Sequence, residues 1–140
     1  MVLESITNGD SDYRDTVDLI WFPTGGGKTE AYLGLMAFLF IYRRLRYPAS
    51  SDGTVSIMRY TLRLLTTQQF MRANKVIFAL ELIRRENTDT FGDKPFTSGL
   101  WLGGASSPNT FYQAKQVLEK EQYSKLVLTS CPWCDSKFER

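Results

Sequence analysis

The chain is 140 residues long, 43% apolar and 23% charged, with a formal net charge of +2; it suits one globular domain and offers no global field to a polyanion. Histidine is absent, which excludes His-based catalysis within the chain. Two cysteines in a single Cys-x-x-Cys make no secreted disulfide framework, and an apolar run of at most twelve residues, Ala31 to Tyr42, is short of the ~20 that span a bilayer.

No basic start beside an apolar stretch marks a leader, so the expected location is the cytoplasm with no membrane partner. Residues 1–16 are polar, with Asn8-Gly9-Asp10 as a turn signal and no firm structure. Val17 to Phe22 is apolar at nearly every position, which predicts a parallel strand covered on both faces.

Pro23-Thr24-Gly25-Gly26-Gly27-Lys28-Thr29 follows, and a helix is predicted from Thr29 to about Arg46. This is the grammar of a phosphate-binding loop. A polyphosphate needs several backbone N–H groups aimed at one place, and glycines let the backbone approach with the dihedrals this requires. A helix N-terminus adds further N–H groups and the positive end of its dipole. Thr24, Gly25, Gly26, Gly27, Lys28 and Thr29 are thus the candidate nucleotide contacts. Lys28 is placed to reach the β- and γ-phosphates, and the Thr29 hydroxyl to hold Mg²⁺. The bland alternative is a glycine-rich turn with an incidental lysine.

The helix after the loop is hydrophobic almost all round in its first half, as buried helices are. Its basic end, Arg43, Arg44 and Arg46, complements the helix dipole and reads as a solvated terminus, stopped by Pro48. Thr54 to Tyr60 predicts a second strand, and Thr61 an N-cap for a helix to about Arg85 with a core stripe of Phe70, Ala73, Ile77 and Leu80. Asn87 to Thr97 reads as a loop. Gly99 to Leu102 predicts a third strand ending in Gly103-Gly104, Thr110 to Glu121 a short helix, and Lys125 to Thr129 a fourth strand. The alternation predicts an α/β fold, a mainly parallel sheet with helices on both faces. In such sheets ligands gather at the carboxyl ends of strands, where the glycine loop, Thr61 to Arg63 and Gly103-Gly104 would fall.

The string Phe22-Pro23-Thr24-Gly25-Gly26-Gly27-Lys28-Thr29 resembles motif I of the superfamily 2 (DEAD/DEAH-like) helicases, departing from it at Phe22. Thr61-Leu62-Arg63-Leu64-Leu65-Thr66-Thr67-Gln68 is similar to motif Ia, with Arg63, Leu65 and Gln68 in register, and Gly103-Gly104 to the Gly-Gly element of the same lobe. Read alone, an Arg and a Gln on a helix are ordinary surface residues, and two glycines after a strand an ordinary tight loop. WFPTGGGKTEAYLGL, MRYTLRLLTTQQFMRA and GLWLGGASSPN together look like the large bacterial helicase-related proteins that include the helicase subunit of the DISARM phage-defence system. The likeness runs from Val17 to about Cys134.

It implies a partial RecA-like P-loop NTPase lobe that uses ATP and Mg²⁺, with Lys28 and Thr29 as catalytic residues. It also implies nucleic-acid contacts, to DNA in preference to RNA, at Thr61, Arg63, Gln68, Gly103 and Gly104. The remainder of a parent helicase and other defence-system subunits are the implied protein partners. No Asp-Glu pair stands in the sequence, so the acids that orient Mg²⁺ and the attacking water lie elsewhere, and the chain alone is expected to be inactive. A kinase-type phosphoryl-transfer enzyme and a non-enzymatic interaction fragment are the alternatives.

The organisation expected is a polar segment 1–16, a P-loop region 17–130, and from 131 to 140 the start of a Cys-x-x-Cys insertion. Cys131 and Cys134 read as half of a zinc site whose other ligands lie outside this chain, with a redox dithiol as the alternative.

Overall fold

Helical periodicity governs what forms. In the computed structural model, which describes residues 2–19, 21, 23, 25–60, 63–104 and 107–138, the α-helices are α1 (Val2–Thr7), α2 (Lys28–Arg46), α3 (Arg63–Glu86), α4 (Thr88–Phe91) and α5 (Phe111–Glu119). Short 3-10 turns add Pro48–Ser50 and Tyr123–Lys125. The three longer predicted helices are therefore present, while α1 and α4 arise in stretches with no helical expectation. Thr61, the expected cap of α3, lies outside the described residues. No helix among the described residues is long and apolar enough to cross a membrane.

The chain divides into two units, Met1–Tyr32 and Leu33–Arg140, so α2 begins in one and ends in the other. In the second unit Leu33 and Met36 of α2, Ala73, Ile77 and Leu80 of α3, and Phe96 form the buried cluster, with Phe40 and Met58 packed against it. Phe40 and Phe96 meet edge to face at 5.3 Å, the arrangement that ring quadrupoles favour. The stripe predicted for α3 is thus confirmed at Ala73, Ile77 and Leu80, whereas Phe70 is only half-buried.

The expected α/β architecture, a RecA-like lobe with a parallel sheet, is overturned: no strand is formed among the described residues. The stretches foreseen as strands at 17–22, 54–60 and 99–102 carry no ladder, Ile20 and Phe22 lying outside the described residues. Several of their apolar side chains face solvent, with Val17 93%, Leu19 92%, Ile57 86% and Trp101 96% exposed, while Met58 packs against the core. At 125–129, Lys125 closes a 3-10 turn and residues 126–129 form no strand, Leu126 N donating to Tyr123 O at 2.9 Å. Local β-propensity makes a strand only where a neighbour takes up its N–H and C=O groups and a layer covers its faces. Among the described residues no neighbouring backbone pairs with these stretches. One antiparallel bridge, Ser130 to Lys137, is the β-pairing among the described residues.

In place of a sheet, a polar clamp holds residues 91–98 to the helices. The Arg44 guanidinium donates to the carbonyls of Phe91 (2.9 Å) and Lys94 (2.8 Å) and lies 4.7 Å from the Phe96 ring centroid. Arg84 donates to both carboxylate oxygens of Glu81 (2.8 and 2.7 Å) and to Gly92 O (2.8 Å), and Glu81 Oε2 accepts from Phe96 N at 3.0 Å. Asn74 joins Ser98 to α3, accepting from Ser98 Oγ at 2.7 Å while donating to Phe70 O. The solvated reading of the basic end of α2 is therefore corrected at Arg44, which is buried. Arg43 also turns inward on the chain, donating to Ser50 O at 3.2 Å.

The Arg84 hydrogen bonds hold Glu81 at a pKa of about 2, against an ordinary 4.5, despite an opposing burial penalty. A carboxylate with a folded-state pKa below its unfolded one stabilises the fold above the unfolded value, and this is lost as pH falls toward the folded one. The wild-type chain is expected to lose stability between pH ~4.5 and ~2. Urea unfolding followed across this window, with Glu81→Gln as reference, should show a shallower pH dependence in the variant.

Candidate nucleotide-binding loop

The first unit carries the glycine loop at the start of α2. Gly26 N donates to Pro23 O at 2.9 Å, closing a four-residue turn in which Gly25 holds φ +83. Gly27 sits at φ +76, and its carbonyl accepts from Ala31 N at 3.1 Å, the first rung of the helical ladder. Both dihedrals lie in the left-handed region that side chains with a Cβ resist. The glycines are therefore needed for backbone shape, since a Cβ at Gly25 would meet nothing within 4 Å. The helix start brings N–H groups that its own ladder does not use, at the positive end of the dipole.

Lys28 occupies the first helical position, and its ammonium donates to Pro23 O at 3.1 Å, folded back over the loop. Thr29 follows in the first turn and is half-buried. Glu30 Oε2 lies 3.9 Å from where a Cβ on Gly27 would stand, so a carboxylate also borders the loop. Sequence reasoning did not single it out, and an acidic residue in a first helical turn is ordinary enough to hide there. Pro23, Gly25, Gly26 and Gly27 are exposed, leaving the loop open to a ligand. Thr24 lies outside the described residues.

These features suit a polyphosphate: backbone amides at a helix start, one cation and one hydroxyl within a single turn. Adding a Cβ at Gly27 forces that residue from φ +76, at a cost of ~1–2 kcal/mol in the loop conformation. If the loop takes a triphosphate, Gly27→Ala is expected to weaken its binding about tenfold, as read by titration with Mg·ATP.

The other predicted site residues belong to the second unit or lie outside the described residues, as Thr61 does. Arg63 opens α3, Gln68 is exposed on it, and Gly103 and Gly104 are exposed beyond residue 102. A Cβ at Gly104 would stand 2.8 Å from the end of the Asn109 side chain, which would have to shift. Gln69, beside Gln68, lines a groove with Gly103, and its buried Oε1 has no hydrogen-bond partner among the described residues. No cluster of three or more His, Cys, Asp or Glu side chains placed to hold a metal occurs among the described residues.

Compared with known proteins, the chain is 45% identical over 150 residues to "DISARM protein DrmA" of Bacillus paralicheniformis. The match takes in 96% of this chain but 13% of that relative's length, so the similarity is to a small part of a much longer protein. No family model matches the sequence.

Proposed function

We propose that this chain is the ATP-binding segment of a longer phage-defence protein of the DISARM kind, working as an ATP-dependent nucleic-acid helicase or translocase. The observation that carries the reading is the glycine loop, with left-handed Gly25 and Gly27 and Lys28 at the first position of α2. Similarity to a DISARM protein supports the biological setting.

In this reading the loop amides and the dipole of α2 take up the phosphates, and Lys28 exchanges the Pro23 carbonyl for the β- and γ-phosphate oxygens. That exchange replaces a neutral acceptor by a charged one and strengthens the hydrogen bond. Thr29 is the residue that would hold Mg²⁺, which, when bound, neutralises charge developing on the phosphates. Thr61, Arg63, Gln68, Gly103 and Gly104 are the proposed contacts to the nucleic acid. An arginine at a helix start suits a backbone phosphate. The chain has no Asp-Glu pair, so activation of the attacking water falls to other parts of the longer protein.

The test is ATP turnover by the longer protein with and without single- and double-stranded DNA and with RNA. Stimulation by DNA is the expected result, because a translocase couples turnover to strand binding. Turnover indifferent to every nucleic acid, with phosphate passed to a hydroxyl acceptor, would favour a kinase-type enzyme.

A further inference from the structure

We propose that the hairpin bearing Cys131 and Cys134 is one half of a tetrahedral zinc site, completed by two further soft ligands from outside this chain. It does not depend on the nucleotide reading.

The hairpin is built before any metal arrives. Ser130 and Lys137 form the antiparallel bridge at its base. Inside it Cys131 N donates to Ser136 O at 2.8 Å and Asp135 N to Cys131 O at 2.9 Å. Asp135 takes φ +61, reversing the chain directly after Cys134. Its carboxylate accepts from Ser130 Oγ at 2.9 Å, fastening the hairpin to itself. The short polar side chain makes Asp one of the few residue types that tolerate this conformation.

The tight turn carries both cysteines, and the reversal at Asp135 leaves Cys134 Sγ beside Ser136. Ser136 Oγ lies 3.3 Å from the same sulfur. While Cys134 is a thiol it donates to this hydroxyl; once it is a thiolate the hydroxyl donates back. Donors aimed at a ligating atom orient it and spread its charge, as outer-shell partners do in metal sites. Lys137 adds a cation to the same hairpin.

The ligand class follows from the donors. Two thiolates at Cys-x-x-Cys spacing select a soft or borderline metal and fit Zn²⁺, whose structural sites are closed four-coordinate sets rich in Cys. Each thiol releases its proton to solvent on binding. A redox dithiol is disfavoured by the setting: such cysteines gain reactivity at a helix N-terminus, and residues 135–138 after Cys134 are not helical. Both cysteines are reduced, and Cys134 is exposed, as an open half-site requires. Asp135 Oδ1 accepts from Ser130 Oγ, and the hairpin holds two cysteines, so two further thiolate ligands come from elsewhere.

The experiment uses this chain with cobalt(II), under reducing anaerobic conditions. Two hairpins supply four thiolates, so the expected result is thiolate-to-cobalt charge-transfer absorption saturating at one metal per two chains. Conversion to a dimer in sedimentation and bleaching of the colour by added zinc should accompany it. Cys131→Ser and Cys134→Ser should each abolish both colour and dimer, while circular dichroism stays at the wild-type level. Absence of the charge-transfer band in the wild type, or its survival in both variants, overturns the proposal. As a second measurement, the longer protein purified without added metal should carry zinc that Cys131→Ser diminishes; unchanged zinc content in that variant also overturns it.

Discussion

Under the proposed function, replacing Lys28 by alanine is expected to lower ATP hydrolysis by the longer protein ~100-fold or more, the scale on which one preorganised charge-stabilising group acts. The loop backbone should survive the change. Its shape is set by the Gly26-to-Pro23 and Ala31-to-Gly27 hydrogen bonds and by the positive φ angles of Gly25 and Gly27, and the Lys28 ammonium donates to Pro23 O. Lys28→Arg is the informative companion. A guanidinium keeps the charge but not the compact geometry of an ammonium, so most of the loss should persist. Turnover within twofold of wild type for Lys28→Ala would detach this loop from the chemistry.

The largest effect on stability is expected at Glu81. Truncation to alanine removes the acceptor of two Arg84 hydrogen bonds and of the Phe96 amide, and leaves the Arg84 guanidinium, 8% exposed, with Gly92 O. Removing one partner of a buried, hydrogen-bonded pair costs ~3–5 kcal/mol, because the remaining charge stays desolvated. The Arg85 contact to the same carboxylate is exposed on the arginine side and adds little. Urea unfolding measures this directly. A loss below ~1 kcal/mol would mean that residues 91–98 are held by Phe96 packing and the Arg44 and Asn74 hydrogen bonds, without need of Glu81.

Much of the helical part was legible. Apolar residues at helical spacing located α3 and its stripe, Pro48 marked the end of α2, and Thr110 stood where the N-cap of α5 forms, its hydroxyl accepting from Gln113 N at 3.2 Å. The glycine loop was legible as well, since left-handed backbone and a helix start are both written in three glycines and the residues that follow. Arg44 was misread although its position carried a signal: it continues the spacing of Leu33, Met36 and Phe40 along α2. Arg84 likewise extends Ala73, Ile77 and Leu80 along α3. A charged residue in register at the end of an apolar stripe is a candidate for burial against carbonyls, even where the helix dipole would explain it on the surface.

The strands were not legible, for a different reason. Val17, Leu19 and Trp21 have the composition of a buried strand, but composition is local while pairing is not. With no neighbouring backbone to complete a ladder among the described residues, these residues form no strand and are exposed. The bridge between Ser130 and Lys137 forms where prediction expected only the start of an insertion, because its two sides are joined by a turn of a few residues and need no distant partner.

The proposed nucleotide loop is tested most directly by what it recognises. Calorimetric titration of the longer protein with Mg·ATP, ADP, AMP and adenosine should give affinity that falls with each phosphate removed and vanishes for adenosine, with the ATP signal lost in Lys28→Ala. Adenosine binding as tightly as ATP, or ATP binding unaltered by Lys28→Ala, would contradict a phosphate site at Gly25 to Thr29.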